Sequence, residues 1–133
     1  MSAETVEMRP ESAPREQAPV SDVALWTAVL LGPVIFLINL QVSYVMVDWA
    51  CARGTEWALH IVHAVSVAIA MGSALVSRSF WRRAGGSWPD TDGGSAARTR
   101  LLGAVGTLGG ALFALSIGAQ WLTVMILGVC ERS

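Results

Sequence analysis

The run VALWTAVLLGPVIFLINLQVSYVMV, residues 23–47, decides the fold. It passes without one charged side chain. A helix of about 20 apolar residues covers the ~30 Å hydrocarbon layer of a bilayer, so this run is long enough to cross it. Two more runs share the property: WALHIVHAVSVAIAMGSALV, residues 57–76, and LLGAVGTLGGALFALSIGAQWLTVMILGV, residues 101–129. The expected fold is all-α, an integral membrane three-helix bundle with spans at about 23–48, 56–79 and 99–129. A mean hydropathy of +0.53 with 14% charged residues fits that class rather than a soluble globule. A net charge of −1 argues against a nucleic-acid partner. The lipid bilayer is the first partner to expect.

Residues 1–21 carry Pro10, Pro14 and Pro19, four glutamates and no apolar period, and read as a disordered tail. The first run follows this polar stretch, is long for a signal-peptide core, and ends at Asp48, so it reads as a span and not a cleaved leader. Ser21 or Asp22 suits the N-cap of the first helix. Gly32-Pro33 falls inside that helix and predicts a packing kink. Residues 80–98, rich in glycine and serine, form the longer connection.

All nine basic residues are arginine. Seven of the nine, Arg9, Arg15, Arg78, Arg82, Arg83, Arg98 and Arg100, fall in the tail or around the long connection, leaving Arg53 and Arg132 opposite. The positive-inside rule then predicts a cytoplasmic N-terminus and 80–98 loop, with the C-terminus extracytoplasmic. Trp26 and Trp81 suit one interface, and Trp49 and Trp57 the other.

In this topology Cys51 and Cys130, the two cysteines of the chain, emerge on one oxidising face. A disulfide between them is the favoured expectation. Two reduced thiols, or a metal or redox thiol pair, are the alternatives.

Polar residues inside the spans gather toward the same end. Gln41 and Tyr44 share a face of the first helix with Asp48, while Asn39 lies on another. His60 and His63 make a stripe on the second helix with Glu56, and Gln120 lies with Ser116 and Thr123 on the third. Gln41, Tyr44, His60, His63 and Gln120 are therefore expected to form an intramembrane hydrogen-bonded cluster. The rival reading gives His60 and His63 to a haem iron or copper, with Met46 and Met125 as soft ligands. A third assigns Gln41, Tyr44 and His63 to a quinone or lipid.

Gly106, Gly110, Ala114 and Gly118 recur every four residues, a small-residue ridge that lets helices approach closely. Ala64, Ala68 and Gly72 offer a matching ridge on the second helix. The third helix has two interacting faces, and the Gly106, Gly110, Ala114 and Gly118 face is expected to meet a larger membrane complex or a second copy of the chain. No GxSxG, GxxxxGK[ST], HExxH or CxxC motif occurs, so an enzyme is not the expectation.

Taken together, Gly32-Pro33, Gln41-x-x-Tyr44, Asp48-x-Ala50-Cys51, Trp57-x-x-His60-x-x-His63, Gln120 and Cys130 resemble small three-span proteins of bacterial inner membranes from gene neighbourhoods of haem–copper respiratory oxidases. The resemblance covers residues 22–130. It implies an accessory or assembly role beside a respiratory complex and no catalytic residue. The rival functions are a haem- or copper-binding redox protein and a small channel or transporter subunit.

Overall fold

The computed structural model describes residues 21–88 and 93–130, and these form three α-helices. They are α1 (Asp22–Arg53), α2 (Trp57–Arg83) and α3 (Ser95–Leu127). Each is long and apolar enough to cross a membrane. At 1.5 Å per residue they measure about 48, 40 and 50 Å, each longer than a hydrocarbon layer is thick. Of the expected tail, residues 1–21, all but Ser21 lie outside the described residues.

Local chemistry sets the ends. Ser21 caps α1 by accepting the Ala24 N–H at 3.4 Å, and Asp22 sits where the helix dipole favours a carboxylate. Pro33 lies within α1, yet the helix continues past it to Arg53. This is five residues beyond the expected end at Asp48, so Cys51 belongs to the last helical turn. The stop comes at Gly54, in the left-handed conformation at φ +64°, where its N–H closes onto the Ala50 carbonyl. Only Gly54–Glu56 then separate α1 from α2. At the other end of α2 the helix runs on through Arg82 and Arg83. α3 stops at Leu127, three residues before Cys130, at Gly128 with φ +56°.

All three helices pack on one another. The closest approach joins α2 to α3, where glycine leaves no room for a side chain. A Cβ on Gly103 would stand 2.8 Å from the Trp81 backbone nitrogen. One on Gly110 would stand 2.9 Å from the Ala74 Cβ, and one on Gly106 2.9 Å from the Ser77 Cβ. α1 joins through Gly32, whose Cβ would meet the Gly110 Cα at 3.4 Å. Further along, Ala70, Ala114 and Ile117 form the core with Ile35, Phe36 and Val67 around them. Phe36 and Phe113 stack at 5.3 Å between ring centroids.

Two expectations need correction. The ridge on α3 does meet α2, but the α2 side is Ala70, Ala74 and Ser77, not Ala64, Ala68 and Gly72. Ala68 is exposed, and space beside Gly72 is open. The buried stripe of α2 runs through Ser66, Ala70, Ser73, Ala74 and Ser77, whose small side chains admit the glycines of α3. In addition, Gly106, Gly110 and Ala114 are buried within the chain's own bundle. They are unavailable as a homo-oligomer face; only Gly118 at the end of that row borders open space.

Candidate functional site

The half of the bundle nearest Cys51 and Cys130 holds the buried amides and imidazoles. Cys51 and Cys130 form a disulfide with Cα atoms 5.4 Å apart, joining the last turn of α1 to the segment after α3. Below it, three side-chain arrangements follow one another into the bundle.

His60 and Trp121 link α2 to α3. The indole Nε1–H of Trp121 donates to His60 Nδ1 at 2.9 Å. An indole can only donate, so Nδ1 of His60 is the unprotonated nitrogen and its ring hydrogen resides on Nε2. The next turn inward presents His63, 2% exposed, whose Nδ1 lies 2.8 Å from the Leu59 carbonyl oxygen. A carbonyl can only accept, so here Nδ1 carries the hydrogen and Nε2 the lone pair. Two neighbouring histidines thus hold opposite tautomers.

Deeper still, Asn39 of α1 donates from Nδ2 to Gln120 Oε1 of α3 at 3.2 Å. Asn39 is fully buried, and its Oδ1 has no hydrogen-bond partner among the described residues. The hydroxyl of Ser43, one turn away on α1, is a second buried oxygen without a partner. Ser116 and Thr123 satisfy their own hydroxyls on the helical carbonyls of Leu112 and Ala119.

This arrangement differs from the sequence expectation in two members. His60, His63 and Gln120 turn inward. Gln41 and Tyr44 do not: both are exposed, Tyr44 to 80%. Asn39 and Trp121 take their places. The sequence did carry a hint. Asn39 stands three, four and seven residues after Phe36, Ile35 and Gly32, all of which pack inward, so it lies on their face of α1. Gln41, two residues on, lies roughly 200° around the helix from Asn39.

The opposite end is held more lightly. Asp22 and Arg98 approach to 3.8 Å with both side chains largely exposed. Ser87 accepts from Arg100 at 2.6 Å, and its carbonyl accepts from the Trp81 indole at 3.3 Å, so the start of the connection folds against α3.

No family model matches the chain, and no curated protein or solved structure matches it.

Proposed function

We propose that the chain is a non-catalytic accessory or assembly subunit of a larger membrane complex, docked through the outward face of α1. The observation that carries this reading is the exposed amide of Gln41. Along the helix it lies eight residues before Trp49, about 12 Å from that interfacial ring and so within the hydrocarbon. Gln41 has no hydrogen-bond partner among the described residues. An amide facing lipid without a partner costs at least about 2 kcal/mol. A neighbouring protein helix removes that cost by supplying a donor and an acceptor. Tyr44 adds an exposed ring on the same stripe, with its hydroxyl able to reach toward the interface.

The resemblance to small three-span proteins beside haem–copper oxidases makes a respiratory complex of the bacterial inner membrane the first candidate. Arginine placement supports a cytoplasmic N-terminus: Arg78, Arg82, Arg83, Arg98 and Arg100 gather at one end and Arg53 stands at the other. A photo-reactive residue at position 41, compared with one at Leu115 on α3, tests the reading in intact membranes. The expected result is one discrete protein adduct from position 41 and none from position 115. Lipid adducts alone from both positions would remove the docking face.

A second reading rests on His63. Its Nδ1–H is held by a backbone carbonyl, leaving the lone pair on Nε2, the form in which imidazole ligates iron or copper. His60 would have to leave Trp121, whose indole occupies the Nδ1 lone pair, to join it. An absorbance spectrum and metal analysis of the purified protein test this: a Soret or copper signal lost in His63→Ala would favour the redox reading.

A further inference from the structure

Between α1 and α2, in the half of the bundle nearest Asp22, runs a groove of about 470 Å³. Its walls are α1 from Ala24 to Leu31 and α2 from Ile69 to Phe80. The α2 wall is about 16 Å long, the thickness of one hydrocarbon leaflet. Its floor opens at Gly72, where a Cβ would meet nothing within 4 Å. Both hydroxyls along the groove turn their hydrogens into their own helices. Thr27 donates to the Val23 carbonyl at 2.7 Å, and Ser73 to the Ala70 carbonyl at 2.8 Å. What fits is a hydrocarbon chain one leaflet long.

The mouth carries charge. Gly72, Val76 and Phe80 succeed one another at helical spacing along the wall, and the next residue in that row is Arg83. Arg83 is exposed in the last turn of α2 and has no ion pair among the described residues. Arg82 lies about 100° away around the helix, and Arg78 on the far side. Among the described residues this end of the bundle brings Arg78, Arg82, Arg83, Arg98 and Arg100 together against the single carboxylate Asp22, already paired with Arg98. Asp22 lies off the groove row of α1, two residues before Ala24, so it does not oppose an anion at the mouth.

We infer that the groove is a binding site for one anionic phospholipid, its acyl chain along Gly72 and Val76 and its phosphate on Arg83. A guanidinium matches phosphate oxygens in a two-pronged geometry, and basic residues at a span's end attract anionic headgroups. Apolar walls below and a lone arginine above make one continuous amphipathic fit.

Native mass spectrometry of the full chain in mild detergent tests this, with phosphatidylglycerol and phosphatidylcholine of identical chains. The wild type is expected to retain one phosphatidylglycerol in about tenfold preference. Gly72→Leu should abolish retention of both lipids, since its side chain fills the floor without a clash; its unchanged melting temperature is the folding control. Val76→Trp is a second filling variant, should the first fold poorly. Arg83→Gln should keep the tail site but lose the preference, whereas Arg82→Gln should behave as wild type. Equal retention of the two lipids by the wild type would overturn the inference. So would full retention in both filling variants, or a dimer mass in place of the lipid adduct.

Discussion

The two halves of this bundle hold together by different physics. Toward Asp22, α3 lays its glycines directly on α2, with backbone close to backbone at Gly103 and Gly110 and the Ser77 side chain against Gly106. Toward Cys51, the helices meet through side chains: Trp121 on His60, Asn39 on Gln120, and the disulfide above them. The contrast follows from the solvent. Lipid tails are as apolar as leucine, so burying leucine against leucine drives little association. What remains is close approach, which needs small residues, and polar bonding, which needs groups that lipid cannot satisfy. The large apolar residues accordingly point outward, among them Leu37, Ile61, Leu108 and Leu115.

The largest effect is expected where the contact is backbone. Gly110→Leu must place a branched side chain where even a Cβ stands 2.9 Å from the Ala74 Cβ and 3.0 Å from its backbone nitrogen. The helices have to part, at a cost of about 3 kcal/mol or more. Gly109→Leu, one residue away with open space around it, should change little. Melting temperatures of the two variants in detergent check the difference. Equal values would remove close packing as the basis of this half.

Next comes the covalent end. A loop of 79 residues closed by a disulfide is worth roughly 4 kcal/mol in the chain-entropy model. The bilayer already confines the helices in the unfolded reference, so about 2 kcal/mol is expected from reduction or from Cys51→Ser. Hydrogen exchange sharpens the comparison. Reduction should raise exchange in residues 50–53 and 128–130 and leave residues 103–110 protected. A rise across both regions would make the halves one cooperative unit.

How much of this was legible in the sequence depends on which physical quantity decides each feature. Three uncharged runs of bilayer length admit few folds, so the helices could be read directly, and the cysteine pairing followed from threading them. Helix ends were less legible. α1 runs past Asp48 because a polar turn outside the hydrocarbon stays helical until Gly54 stops it. Inward and outward faces were the least legible. A helical wheel gives angles within one helix, and both Asn39 and Gln41 are amides on α1. What separates them is the company of Gly32, Ile35 and Phe36, which becomes visible only when α3 is laid against α1. α2 likewise offers two small-residue rows, and only the packed helices show that the row of Ala70, Ala74 and Ser77 is the buried one.

The smallest effect is also the most diagnostic, because two similar truncations should differ. In Gln120→Leu the buried Asn39 loses its one hydrogen-bond acceptor while its Oδ1 stays unpaired. Both ends of a fully buried amide are then unsatisfied, at about 1–2 kcal/mol. In Asn39→Leu the bond disappears, but so does the unpaired oxygen, and leucine is close to asparagine in size. Gln120 then loses its Asn39 donor, but it is half-buried rather than fully buried, so one partly exposed amide is unpaired instead of a fully buried one. That change should cost less than Gln120→Leu, and the double variant, in which no amide is left without a partner, should fall within about 0.5 kcal/mol of neutral. Melting measurements on the four proteins close the cycle. The asymmetry separates two meanings of a buried polar pair. If Gln120→Leu is the costlier change, the amide pair fixes which helix faces meet while adding little stability of its own. If the two single variants cost the same, the bond itself contributes, and the polar half of the bundle resembles the glycine half in being held by net attraction.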